Sequence, residues 1–265
     1  MHLRSLKICP AGQLERFPFN VPAIQQLKSI AFSAPVTILV GENGSGKSTL
    51  LEALALATSI PVIGREEANR DQSFNPVQPL GDALKLVWNK RTHRGFFLRA
   101  EDFFGFVQRI GSLQTDMQAE LDRIEREYDN RSNYAKDLAR TPAKSSLNAI
   151  AQRYGGDLNA NSHGESFLTI FQSRFVPGGL YLLDEPEAAL SPLRQLGLIS
   201  LIKQMIPQDA QFILATHSPI LMAIPGAKIL DLDQQPPVFR EYDELESVKL
   251  YQAFLEHPAA FVHRL

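Results

Sequence analysis

The sequence predicts an α/β fold with a helical segment inserted in its middle. Three observations carry that expectation. Short apolar runs alternate with helical periodicity toward both ends of the chain. A glycine-rich loop at residues 41–49, GENGSGKST, lies directly between a strand-like run and a helix-like run. Residues 112–140 are polar, charged and free of Gly and Pro, with apolar side chains at alternating three- and four-residue steps.

Residues 3–8, 28–32 and 36–40 read as strands, with a turn-rich stretch around Pro18 and Pro22 between the first two. Residues 48–58 are apolar on most sides, which predicts a buried helix. Residues 65–81, with Pro76 and Pro79, read as loop, and 83–88 and 95–100 as strands around a basic turn at 89–94. In the polar segment, Met117, Leu121, Ile124, Tyr128, Ala135 and Leu138 form one helical stripe, interrupted at Arg131. Thr141-Pro142 should end it, and a short helix should follow over 145–154 and stop at Gly155-Gly156. Residues 180–183 are a strand. Ser191 caps a helix with Pro192 as its first residue, running to about Met205. Residues 211–215 and 228–232 are strands, and 243–256 a final helix.

The chain has 265 residues, enough for one sizeable core, and a net charge of −2. A near-neutral balance gives no global pull toward nucleic acid or an anionic membrane. Cys9 is the single cysteine, so no intrachain disulfide can form, and a reduced, cytoplasmic setting is expected. No secretory signal is visible, and the longest apolar stretch, residues 50–63, is too short to span a bilayer. Work at a membrane would need a partner.

Gly41, Asn43, Gly44, Ser45, Gly46, Lys47, Ser48 and Thr49 belong to a full phosphate-loop pattern, G-x-x-x-x-G-K-[ST]. Glycines let the backbone turn its N–H groups inward around phosphates, and the following helix adds its positive end. Lys47 is placed for the β- and γ-phosphates, and Ser48 for magnesium. The loop therefore implies ATP with Mg²⁺. Residues 180–185 are four apolar residues followed by Asp184 and Glu185. A buried strand would deliver both acids beside the loop, Asp184 to the magnesium shell and Glu185 as general base for an attacking water.

With these motifs the chain resembles the ATP-binding-cassette class of P-loop ATPases, most closely its small stand-alone bacterial AAA-type relatives. The resemblance covers most of the chain as one domain, residues 1–265, with a helical insertion at about 103–165. It implies a mixed central sheet, an antiparallel β subdomain and an inserted helical subdomain. Residues 41–49 look like Walker A, 180–185 like Walker B and 187–191 like the D-loop, which in the class crosses a dimer interface. Thr216-His217-Ser218-Pro219 looks like the switch-histidine loop, so His217 would act with Glu185 and Lys47 in catalysis. Residues 162–166, Ser-His-Gly-Glu-Ser, stand where the class has Leu-Ser-Gly-Gly-Gln. Ser162 and Gly164 match, and would contact the ATP of a second subunit; Asn161, His163 and Glu165 depart from the pattern. The class also has a polar residue, usually Gln, before the helical insertion. Glu101 is the choice for that place near magnesium, with Gln78 as competitor. Phe17 or Phe19 would stack on adenine or else pack in the core.

The resemblance implies an ATP-hydrolysing switch, a homodimer closed by ATP and acting on a separate protein or on nucleic acid. A defence or toxin–antitoxin ATPase component is one form of it. A transporter's nucleotide-binding subunit and a DNA-repair or chromosome-type head are the alternatives. Lys85, Lys90, Arg91, Arg94, Arg99 and Arg109 form a local basic cluster that suits a phosphodiester backbone or a solvated hairpin.

Overall fold

The computed structural model describes residues 1–10, 15–63, 72–129, 131–154 and 163–263. Two compact units divide the chain: residues 1–100 with 176–265, and residues 101–175. In chain order the elements are β1 (Leu3–Ile8), α1 (Pro22–Gln26), β2 (Ser29–Ala31), β3 (Val36–Val40), α2 (Lys47–Thr58), α3 (Gln78–Ala83), β4 (Leu84–Trp88) and β5 (Gly95–Arg99). Three long helices follow, α4 (Ala100–Glu127), α5 (Asn133–Tyr154) and α6 (His163–Arg174). The chain ends through β6 (Leu180–Asp184), α7 (Pro192–Met205), β7 (Gln211–Ala215), α8 (Pro219–Met222), β8 (Lys228–Asp231), β9 (Val238–Arg240), α9 (Glu246–Glu256) and α10 (Pro258–Val262).

The first unit is built on two sheets. One is antiparallel, in the order β2-β1-β4; the other is mixed, in the order β5-β6-β7-β3-β8-β9, with only β9 antiparallel to its neighbour. This is the α/β architecture expected, a mixed sheet with a separate antiparallel one. Every residue of β3, β6 and β7 is buried, as suits parallel strands covered on both faces. Helix α2 joins the two sheets through one core, with Leu50, Leu51, Ala53, Leu54, Ala55 and Leu56 all buried. That is why its sequence lacks a polar stripe.

Gln211, the first residue of β7, is fully buried and ties the two sheets together. Its Oε1 accepts from the N–H groups of His2 at 2.9 Å and Leu3 at 2.8 Å, and its Nε2 donates to the Leu3 carbonyl at 2.9 Å. One amide thus satisfies the backbone where β1 begins.

In the second unit an aromatic row, Phe103, Phe167, Phe171 and Phe175, packs α4 with α6 at ring spacings of 4.3, 4.6 and 5.1 Å. The expected single helix over 112–140 is corrected here. Helix α4 stops at Glu127 and α5 starts at Asn133. Asp129, Ser132 and Asn133 favour turns and caps over helix interiors. The Ser132 hydroxyl accepts from the Ala135 N–H at 3.3 Å, starting the second helix. Thr141-Pro142 ends nothing, and Pro142 sits inside α5. Its missing N–H would have bonded the carbonyl of Leu138, a residue on the exposed side of the helix.

Smaller differences follow the same physics. Of the stretch 65–81 expected as loop, residues 65–71 lie outside the described residues, and the rest holds a 3-10 turn at Gln72–Phe74 and the start of α3, which Pro79 opens rather than breaks. The turn-rich stretch around Pro22 contains α1, again with Pro at its first turn. Strand β9 was not anticipated. Ser191 precedes α7 as expected, but its side chain makes no capping hydrogen bond. Among the described residues, no helix is long and apolar enough to cross a membrane.

Gln211→Leu keeps the side-chain volume but strands two buried donors and one acceptor. It should cost about 2–5 kcal/mol of unfolding free energy, read from the urea midpoint. An unchanged midpoint would show that the tie contributes nothing.

Candidate nucleotide site

Four neighbouring parallel strands, β6, β7, β3 and β8, end on one side of the sheet. The carboxyl ends of parallel strands are where open α/β sheets build ligand sites. Strand β6 ends in Asp184-Glu185, β7 leads into Thr216-His217, β3 into the glycine loop, and β8 toward Asp233. Backbone bonds hold these ends in register. The Glu185 N–H donates to Ala215 O at 2.9 Å, Thr216 to Leu39 at 3.2 Å, and Leu232 to Val40 at 2.9 Å.

Within the loop, Gly41, Gly44 and Gly46 all have positive φ. At Gly46 (φ 103°) a Cβ would also come within 2.8 Å of Val21 Cγ1, so no larger residue fits without a shift. Helix α2 starts at the next residue, turning its N-terminus toward the loop. Lys47 is buried and donates to the carbonyls of Gly41 at 2.7 Å and Glu42 at 3.0 Å. Burial lowers its pKa, opposed by Glu185, Asp233, Asp184 and Glu42. A polyphosphate would give that ammonium a stronger partner than two neutral carbonyls. Ser45 Oγ is buried without a partner among the described residues, Thr49 is half-buried, and Asn43 is exposed.

Asp184 is 6% exposed. Burial pushes its carboxyl up to about 7; a hydrogen bond from Ser48 opposes this, while the charges of Glu185 and Glu52 add to it and Arg99 opposes it. Its Oδ1 is buried with no hydrogen-bond partner among the described residues. An orphaned acidic oxygen beside a serine hydroxyl fits a cation. No cluster of three or more His, Cys, Asp or Glu able to hold a metal exists among the described residues.

Glu185 sits in the left-handed region, φ 48° and ψ 48°. For a residue with a side chain this costs about 1–3 kcal/mol. Its Oε1 lies 3.8 Å from His217 Nε2, too long for a hydrogen bond but short enough for both to face one water or phosphate oxygen. His217 Nε2 is itself buried without a hydrogen-bond partner among the described residues.

The structure thus brings Lys47, Ser48, Asp184, Glu185 and His217 to one end of the sheet. Other anticipated residues fall elsewhere. Ser162 lies outside the described residues, and Gly164 is the second residue of α6. Glu101 is exposed on α4, in the other unit. Gln78 opens α3 and donates to Asp82 at 2.8 Å. Phe17 is 48% exposed, whereas Phe19 packs against the core. Lys85, Lys90, Arg91 and Arg94 are exposed along β4 and the turn after it, and Arg109 is exposed on α4. Arg99 corrects the basic cluster. It is buried, pairs with Glu52 at 3.1 Å, and stacks 4.3 Å over the Phe74 ring. Its charge serves the interior near Asp184 and is not offered to a ligand surface. Asp233 was not anticipated: both its oxygens accept from the Glu42 N–H at 2.9 Å. The signal was present, since it too is an acid just past an apolar strand.

Two family models match the chain: an "AAA domain" over residues 19–76, and an "AAA domain, putative AbiEii toxin, Type IV TA system" over residues 166–223. They cover the phosphate loop and the stretch from Asp184 to His217. The chain is 26% identical to an uncharacterized ABC transporter ATP-binding protein of Haemophilus influenzae, over 80% of this chain and 75% of that one. It is 33% identical to the DNA replication and repair protein RecF of a Synechococcus strain, over 34% of this chain and 28% of that protein. A solved ATP-binding cassette of an ABC transporter in its ADP conformation aligns over 95% of this chain and 98% of its own, at 13% identity and a TM-score of 0.48. The Smc head domain of Pyrococcus furiosus, bound to the C-terminal domain of ScpA, covers 96% of this chain and 99% of its own, at 14% identity and a TM-score of 0.42. The motif order, the strand-end geometry and the two AAA-domain matches agree on an α/β P-loop fold similar to that of ATP-binding-cassette ATPases.

Proposed function

We propose that the chain binds ATP with magnesium at residues 41–49, hydrolyses it, and uses the cycle to join and then separate a pair of its own copies. The observation that carries this reading is Glu185, held in a strained backbone conformation 3.8 Å from His217 at the strand end beside Lys47. Lys47 would leave its loop carbonyls for the β- and γ-phosphates. Magnesium, when bound, neutralises phosphate charge, and Ser48 and Asp184 are the side chains that would hold it. Glu185 takes a proton from water as the water oxygen bonds to the γ-phosphorus. The bond from that phosphorus to the bridging oxygen breaks, leaving ADP and phosphate. His217 orients the water and the γ-phosphate. Ser162 and Gly164 meet the ATP of the second copy.

The resulting closed dimer would act on a separate chain, and the toxin–antitoxin wording of the second family model favours a defence-type effector. A second reading, a DNA-binding head, is favoured by exposed Lys85, Lys90, Arg91 and Arg94 and by the partial RecF match. A gel shift that weakens steeply with salt would select it.

Lys47→Ala should weaken ATP binding about a hundredfold or more, measured by calorimetry or a fluorescent analogue. Glu185→Gln should lower turnover about a hundredfold or more while ATP and magnesium double the mass seen by light scattering. A variant that stays monomeric at saturating ATP would sink the dimer. The metal-free protein should also respond to pH. Asp184 titrates near 7 when folded, against an ordinary value of 3.8. A folded pKa above the unfolded one gives stability that is full below about pH 4 and lost as pH rises through about 7. In EDTA, Asp184→Asn should therefore lose less stability than wild type between pH 4 and 8, by urea titration. Parallel pH curves would refute the assignment.

A further inference from the structure

The short 3-10 turn Pro186–Ala189 and the loop 216–218 are tied at two points. At the first, Glu187 Oε1 accepts from the His217 backbone N–H at 2.6 Å. The other oxygen, Oε2, is buried and has no partner among the described residues. A carboxylate taken from water for a single charged hydrogen bond marks that bond as the reason the acid is there. At the second point, the buried Gln195 donates through Nε2 to the Leu190 carbonyl at 3.1 Å, and its Oε1 accepts from the Ser218 hydroxyl. That hydroxyl accepts in turn from the N–H groups of Ile220 and Leu221 at 3.1 and 3.3 Å, capping α8. His217 is thus gripped on both sides by groups that follow Glu185 in the chain.

Glu185 is the residue before this turn, at its N-cap position but with no side-chain capping bond. The Glu185–His217 spacing therefore depends on how the turn lies against the loop. We propose that Glu187 is a positioning residue that, with Gln195, locks His217 to segment 186–190 and so sets the His217–Glu185 spacing. This rests on the hydrolytic reading above. The two ties convert a push on the turn into a movement of the histidine, because neither end of the loop can lag behind.

The test uses the full chain with Glu187→Ala, Glu187→Gln and Gln195→Leu, and two readouts. Hydrogen exchange of the peptide containing His217, without nucleotide, reads the lock directly. Glu187→Ala should speed exchange there while other strand ends stay protected, and Glu187→Gln, which keeps an acceptor, should restore protection. Steady-state kinetics with ATP and magnesium read its consequence. Glu187→Ala should lower kcat about tenfold to a hundredfold with KM unchanged, and should add nothing to a His217→Ala background. Gln195→Leu should show the same pattern more weakly. If wild type turns over ATP and Glu187→Ala matches it in kcat, the lock is overturned while the hydrolytic reading stands. If wild type does not turn over ATP, the hydrolytic reading fails, and exchange alone decides: unchanged protection in Glu187→Ala overturns the lock, and selective loss upholds it.

Discussion

A carboxylate at the end of a strand buried on both faces has little water to share its charge with. Asp184 is in that position, and its raised pKa measures the cost. Most of the surrounding chemistry answers it. Ser48 gives it one hydrogen bond, and Arg99, held by Glu52 and the Phe74 ring, supplies a fixed positive charge from β5 next door. Neither removes the need for a cation, since Oδ1 is still without a hydrogen bond. If metal and phosphate bind as proposed, the site would gain most when both arrive. Binding there neutralises a charge that folding alone leaves exposed to a low dielectric.

That arrangement needs a rigid frame, and the sheet supplies it. Strands β6, β7, β3 and β8 run parallel in fixed register, so their ends cannot slide separately. Helix α2 fills the space between the two sheets, and Gln211 fastens the antiparallel one at the start of β1. The same helix begins at Lys47. Packing that stabilises the fold therefore also aims the lysine and the helix N-terminus. Opposing pulls act on Lys47: burial lowers its pKa, and Glu185, Asp233, Asp184 and Glu42 work against that.

The sequence was most readable where local and global signals coincide. The loop 41–49 and the strand ending in Asp184-Glu185 were legible because apolar runs and special residue types meet at fixed offsets. Helix α2 was legible by its very lack of a polar face. Several misreadings share one cause, proline read as a breaker, whereas polar Asp129 and Ser132 read as helix interior and in fact separate two helices. Pro22, Pro79 and Pro142 each lie in helices, two at first turns where the missing N–H costs nothing. Arg99 read as a surface cation because sequence cannot say which side of a strand is covered. Its partner Glu52 is 47 positions away and reaches it only through the fold. Asp233, and the bond that Glu187 makes from the D-loop-like stretch, escaped for a related reason: each acts on a backbone N–H, which carries no residue identity.

Backbone contacts of that kind decide how the site can move. Glu185 is strained in φ and ψ, so its position is imposed by neighbours rather than by its own preference. His217 is imposed too, through its N–H. Two side chains whose backbones are both dictated from outside make a spacing that is stiff within one arrangement and free to switch between two. The Oε1–Nε2 distance of 3.8 Å is not a resting hydrogen bond that must be broken before a water can enter. It is a gap already shaped for an oxygen, and a shift of well under one ångström in segment 186–190 would be enough to spoil the alignment. If the proposed hydrolysis occurs here, it would be governed by how segment 186–190 lies against the His217 loop as well as by what binds in the phosphate loop.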